Sequence, residues 1–201
     1  MYFRLLITTV VVGIALVGSA AAIPSALLGE SSQQAGSEAM QADNARSPQV
    51  EQRIVREVRH ELLMLPYYGV FDDLEYRDDG HTVILQGYVI SEHSTTKDDA
   101  EKVVKKIEGV DRVVNNIEVL PPSPMDDRLR AQLYRKIYGY GPLFKYSNLS
   151  IPPIHIVVKN GRVILKGVVD NDTDKNLVGM LANQVPGVFE VTNDLRVVPS
   201  G

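Results

Sequence analysis

From residue 48 onward the apolar positions keep two rhythms in turn, a step of about four and then a step of two, and the whole succession occurs twice. Val50, Ile54, Val58 and Leu62 fall on one face of a helix, with Val55 and Leu65 widening the stripe. Ser47 is placed to cap that helix, Pro48 suits its first position, and Pro66 ends it. A strand is predicted around Leu74 and Tyr76, then a turn at Asp78-Asp79-Gly80, then a second strand along Val83–Val89. A second helix is predicted from Thr95. Thr95 with Asp98 resembles a capping box, and Ala100, Val103, Val104 and Ile107 form the apolar face. Gly109 stands where a helix C-cap glycine belongs, and a strand from Val113 to Val119 closes the unit.

The same plan returns downstream. Val83-Ile84-Leu85-Gln86-Gly87-Tyr88-Val89 matches Val163-Ile164-Leu165-Lys166-Gly167-Val168-Val169 at an offset of 80. Gly109-Val110, Val113, Asn115, Ile117, Val119 and Pro121 match Gly187-Val188, Val191, Asn193, Leu195, Val197 and Pro199 at an offset of 78. Upstream, Ile54, Val58 and Leu62 match Leu129, Leu133 and Ile137 at an offset of 75. Three matched blocks in one order establish an internal repeat, with loops of slightly different length. The second copy has its turn at Lys159-Asn160-Gly161, its second helical stripe at Val178, Leu181, Ala182 and Val185, and a helix stop at Pro186-Gly187.

The fold class is therefore α+β: two tandem α-β-β-α-β domains, 48–120 and 124–199, each a three-stranded mixed sheet packed against two helices. Units of this size are marginal alone, and Pro121-Pro122-Ser123-Pro124 is short and stiff, so the two copies are expected to pack together. Gly87 and Gly167, inside strands, mark a bulge or the close approach of another backbone.

Ahead of the repeats, Arg4 precedes an apolar run, Leu5 to Gly18, followed by Ser19-Ala20-Ala21-Ala22. This is the order of a secretory signal peptide, 1–22, cleaved after Ala22. The alternative is an uncleaved anchor, since apolar character resumes at Ile23 and reaches Leu28. Residues 23–47 are assigned as a disordered linker, because Glu30–Ser47 is polar, without aromatic residues or apolar period. Either way the repeats are exported to the periplasm, soluble or held by the N-terminal segment.

The strand "V-x-L-x-G-x-V" (Val83, Leu85, Gly87, Val89; Val163, Leu165, Gly167, Val169) is followed by a helix. Then comes "G-V-x-x-V-x-N-x-[I/L]-x-V" (Gly109, Val110, Val113, Asn115, Ile117, Val119; Gly187, Val188, Val191, Asn193, Leu195, Val197). Together these resemble the BON domain family, over residues 50 to 199. The resemblance implies a non-enzymatic role, phospholipid binding or envelope maintenance under osmotic or envelope stress, in the manner of periplasmic members. Some relatives are lipoproteins, but this chain has no Cys, so that anchor does not carry over. The second copy departs from the pattern by an insertion, Ser147 to Pro153.

The absence of Cys also removes disulfides, thiolate catalysis and Cys-based zinc sites. His60, His81, His93 and His155 are not at metal-ligand spacing from one another, and His93-Ser94 has no evident acid beside it, so no hydrolytic site is expected. Asp170, Asp172 and Asp174 begin like a calcium loop. However, Lys175 replaces the required Gly and Leu181 the required Glu, so Asp172 or Thr173 is expected to cap the helix instead. The pairs Asp72-Asp73 and Asp78-Asp79 are assigned to turn chemistry. No catalytic residue, metal site or cofactor is expected.

Charge changes the picture more than composition does. The net charge of −4 argues against nucleic acid as a partner. It divides, however, into −6 over residues 51–120 and +3 over 124–199. The basic copy concentrates Arg128, Arg130, Arg135 and Lys136 on its first helix. There Arg130, Tyr134 and Tyr138 form a stripe beside the core stripe, and Tyr140, Leu143 and Phe144 follow. Cationic heads with amphipathic rings suit an anionic phospholipid surface, and these nine residues are the candidate lipid-binding set. The alternative is a helix whose tyrosines pack on the neighbouring copy, in an envelope protein-interaction module without lipid contact.

Overall fold

The computed structural model describes residues 47–149 and 151–198. The first repeat runs α1 (Pro48–Leu63), β1 (Asp73–Asp79), β2 (Thr82–Val89), α2 (Thr95–Val104) and β3 (Arg112–Val119). The second runs α3 (Pro124–Tyr138), a 3-10 segment (Gly141–Asn148), β4 (Ile154–Lys159), β5 (Arg162–Val169), α4 (Asp172–Asn183), β6 (Glu190–Asn193) and β7 (Arg196–Val197). In each repeat the central strand pairs antiparallel with the strand before it and parallel with the strand after the helix. This is the α+β tandem expected from the pattern.

Each core forms as the two rhythms dictate. Ile54, Val58 and Leu62 from α1 meet Val83, Leu85 and Val89 from β2 and Ala100 and Val104 from α2. Leu129, Leu133 and Ile137 meet Val163, Leu165, Val169, Val178 and Ala182 in the same way. The Asn of the final-strand motif pins helix to sheet in both copies. The Asn115 amide donates to the Lys97 carbonyl and that of Asn193 to the Lys175 carbonyl, each at 2.8 Å. Each side-chain oxygen accepts from the backbone N–H two residues on. In the second repeat this local bond coincides with a break in the strand. β6 and β7 hold one register on β5, interrupted at Asp194-Leu195.

Gly87 and Gly167 do answer to the close approach of another backbone. Their φ angles are +125° and +107°, and a Cβ would stand 2.1 Å from the Asp73 carbonyl oxygen or 2.0 Å from that of Pro153.

Helix capping departs from expectation. Ser47 occupies the N-cap of α1 but makes no side-chain capping bond. α2 is preceded by Ser94 in helical conformation, so Thr95 and Asp98 form no capping box. α4 is capped by Asn171, whose side chain accepts from the Asp174 N–H, while Asp172 and Thr173 lie inside the first turn.

The two repeats belong to one packed unit. Because side chains alternate across a strand, residues on the faces turned away from the helices are free to meet. Val157 and Ile164 of the second sheet pack with Tyr88, Ile90, Leu120 and Phe71 of the first repeat. Lys166 pairs with Glu75 at 3.1 Å and Lys159 with Glu118 at 2.5 Å across this junction. The segment between α1 and β1 completes the joint: the Ile156 N–H donates to the Val70 carbonyl at 2.8 Å. The signal peptide or anchor, its cleavage point and the linker expected over 1–22 and 23–47 lie outside the described residues, apart from Ser47.

Candidate functional site

The nine candidate residues on and after α3 separate into two groups. Arg130, Tyr138 and Leu143 are buried and cannot face a membrane. Arg130 donates to the Val158 carbonyl at 2.7 Å and pairs with Asp127, tying α3 to β4. The Tyr138 hydroxyl donates to the Ile154 carbonyl at 2.5 Å and accepts from the Ile154 N–H at 3.2 Å. Burial pushes its phenol pKa upward, against the pull of that backbone bond. Leu143 enters the core. A stripe at four-residue spacing drifts by about 40° per step and so lies beside the core stripe, where β4 covers it. Tyr134, between the buried pair, is half-covered by Tyr138 at 5.0 Å and by the edge of Phe71, from the first repeat, at 6.2 Å.

Arg128, Arg135, Lys136, Tyr140 and Phe144 remain at the surface. Tyr140 is 41% and Phe144 57% exposed, and Leu149, which the sequence reading left aside, is also exposed. The patch is held rigidly from below. The Tyr146 hydroxyl donates to Asp174 at 2.6 Å and accepts from the Asp170 N–H at 2.9 Å. Lys145 bridges Asp170 at 2.7 Å and Asp174 at 2.8 Å. These acid contacts hold the Lys145 ammonium above its ordinary range. Against the cost of burial, the same contacts hold the Asp174 carboxyl below its own. The acids that resemble the start of a calcium loop thus take a lysine as their cation. Among the described residues no group of three or more His, Asp or Glu side chains is arranged to hold a metal ion.

A second polar cluster, at the joint between repeats, was missed by the sequence reading. Asp72 is fully buried. It accepts from the Ile90 N–H at 2.9 Å and the Gly69 N–H at 3.0 Å, and meets His93 Nδ1 at 2.7 Å. His93 therefore does have an acid beside it, 21 residues away in the chain. The Asp72 bonds shape the Gly69–Asp72 loop, so the pair fixes the joint. His155 lies against the ring of Tyr68 at 5.3 Å and reaches the Gly69 carbonyl at 3.3 Å. Burial holds its imidazole below the ordinary pKa. Asp73 is not simply a turn residue either. One of its buried oxygens has no hydrogen-bond partner, and burial, with Glu75 nearby, pushes its carboxyl up to about 6.

Asp126 was also missed. Its buried carboxylate accepts from the Asn160 and Gly161 N–H groups at 2.8 Å each, and its own N–H donates to Ser123. The run Ser123-Pro124-Met125-Asp126 carries the spacing of a capping box, which was the available signal.

No curated protein matches the chain. Among solved structures it is similar to CdsD, a structural protein of the type III secretion system of Chlamydia trachomatis. The identity is 14%, over 74% of this chain and 93% of that chain, with a TM-score of 0.26. It is also similar to the C-terminal domain of CdsD, at 14% identity over 73% of this chain and 98% of that chain, with a TM-score of 0.24. Residues 74–121 and 126–199 each match the BON domain. With both matched segments falling on the two α-β-β-α-β repeats, the chain belongs to the BON domain family.

Proposed function

We propose that this chain is a non-catalytic, exported envelope protein whose second repeat binds the anionic surface of a phospholipid membrane. The observation that carries this reading is the supported patch after α3. Exposed Tyr140, Phe144 and Leu149 follow exposed Arg135 and Lys136, while Leu143 and Tyr146 of the same segment are locked in the core. Aromatic rings beside cationic heads partition to the headgroup boundary, and the fixed backbone spares the cost of ordering a loop on binding. Export is supported by the apolar run Leu5–Gly18 and the small residues after it. Among the described residues no helix is long and apolar enough to cross a membrane. The first repeat serves as a brace, covering the outer face of β4 while leaving Arg135, Lys136 and Phe144 uncovered. Gripping the membrane surface in this way supports envelope integrity under stress.

Flotation with phosphatidylcholine vesicles carrying increasing phosphatidylglycerol tests this. The chain is expected to float in proportion to anionic content and to lose binding as salt rises. Joint reversal of Arg135 and Lys136 to Glu is expected to lower affinity by at least about tenfold, since each basic group near such a surface contributes about 1 kcal/mol. A wild-type chain that floats with no composition at any salt overturns the reading. Crosslinking that recovers one stoichiometric envelope protein, indifferent to those reversals, favours a protein scaffold instead.

A further inference from the structure

The hairpin turns of the two repeats offer an internal control, because one backbone contact is made with opposite chemistry. In the first repeat the Asp111 N–H donates to the His81 carbonyl at 3.0 Å, and the two side chains form an exposed pair, Nδ1 to Oδ2, at 3.0 Å. At the equivalent place in the second repeat the Phe189 N–H donates to the Gly161 carbonyl at 2.9 Å. Here the acid is replaced by a phenyl ring and the histidine by a glycine. The ring lies over the turn so closely that a Cβ on residue 161 would stand 2.5 Å from it. Phe189 is nonetheless 73% exposed, more than any other large apolar side chain described. The fold does not require an apolar group here, since the first repeat makes the same contact with an aspartate.

The surroundings specify what the ring would meet. Asp126 holds the same turn through the Asn160 and Gly161 amides, which brings the N-terminus of α3 to this tip, with Met125 beside it 51% exposed. Arg162 follows the turn directly and is also exposed, paired with Glu190 at 3.6 Å. Two exposed apolar side chains at a fixed turn, beside the Arg162–Glu190 pair, repeat the apolar half of the Tyr140–Phe144 patch at the other end of α3. The 15 residues of that helix separate the two ends by about 22 Å.

We infer that the Phe189 tip is a second membrane anchor, inserting into the headgroup boundary of an anionic bilayer so that the second repeat is held at both ends of α3. This rests on the lipid-binding reading above. Two apolar contacts joined by a rigid helix bind as one ligand with two points of attachment, which raises affinity beyond that of either alone.

The full chain contains no Trp, so a single introduced indole reports one site. Phe189→Trp and Phe144→Trp are each mixed with phosphatidylcholine vesicles with and without phosphatidylglycerol. Both emissions are expected to shift to the blue with anionic vesicles and to be quenched by brominated acyl chains. Phe189→Asp, which installs the residue the first repeat already carries, is expected to lower affinity about tenfold in flotation, the equivalent of about 1.4 kcal/mol. If Phe144→Trp shifts while Phe189→Trp does not, the second anchor is overturned and the lipid-binding reading stands. If neither shifts, both fall. If Phe189→Trp shifts while Phe189→Asp binds as the wild type does, the tip only brushes the surface, and the anchor is likewise overturned.

Discussion

β1 and β4 hold equivalent places in their sheets, yet the protein treats them differently. β1 is only half-buried on the side that faces α1 and α2, where Leu74 and Tyr76 lie, and on the other side it opens from the buried Asp73 to half-buried Glu75 and exposed Arg77. β4 is buried on both sides: Ile154, Ile156 and Val158 enter the core of the second repeat, while His155 and Val157 turn towards the first. Polar alternation in Leu74-Glu75-Tyr76-Arg77 against the apolar run Ile154–Val158 already carries this difference. The second repeat depends on the first for half of its edge strand, whereas the first keeps a largely complete core of its own. The brace and the surface it supports are therefore unequal partners despite their common plan.

The largest expected effect tests what the repeats share. Gly87→Ala and Gly167→Ala each place a Cβ against a backbone carbonyl that cannot move aside, at a φ hostile to L-residues. Strain and overpacking together are expected to cost about 2–6 kcal/mol in either repeat, read by denaturant unfolding. Similar losses mean that the repeats are equivalent in their sheets and differ only at their outer faces. Tolerance of Ala at one of the two positions breaks that equivalence.

A smaller effect tests the dependence itself. Asp72→Ala leaves the buried Ile90 amide and the half-buried Gly69 amide without their acceptor and is expected to cost about 2–4 kcal/mol. The loosened loop belongs to the first repeat, but the damage should surface in the second. Hydrogen exchange is expected to quicken at the Ile156 amide, which is bonded to Val70, more than at β2 amides such as Leu85. Equal loss of protection in both sheets would mean that the joint is symmetric after all.

Much of this architecture was legible in the sequence because it rests on local rhythm. The helical stripes and the strand runs are set by neighbours within a few residues, and the Asn motif, whose amide bonds a carbonyl 18 positions away, is legible because the repeat prints it twice. What escaped the sequence depended on partners far along the chain. Asp72 and His93 are 21 positions apart, and their pairing is created by β1 folding back along β2. Arg130 and Tyr138 carry the chemistry of a membrane-facing stripe. They were drawn inward by the Val158 and Ile154 carbonyls, buried acceptors that no helical pattern announces. The cap of α1 falls at Ser47 as expected, but those of α2 and α4 were misplaced by a residue or two because Ser, Thr, Asn and Asp cluster at each candidate position, and only the chain direction selects among them.

The smallest expected effect is a pH dependence in which two groups at the joint act against each other. Burial holds His155 below its ordinary 6.5, opposed by its backbone bonds and by the Asp72 charge, and Tyr68 lies on its ring. The unfolded chain therefore takes up this proton first, and the His155 contribution falls as pH drops below 6.5. Asp73 has the opposite sign. Its carboxyl is raised from 3.8 to about 6 by burial and by Glu75, against Lys166 and Arg196 and with Asp194 adding, so the folded chain holds the proton first. That contribution is complete below 3.8 and is lost as pH rises through 6. Between these limits the two slopes oppose, each bounded by about 1.4 kcal/mol per pH unit. Replacing one group should expose the other. Relative to the wild type, His155→Gln is expected to gain stability as pH falls from about 7 to about 5, and Asp73→Asn to lose about 1 kcal/mol, measured by urea unfolding at fixed ionic strength. Parallel pH curves for all three chains would show that neither group feels the junction, and that the first repeat covers β4 without keeping water from it.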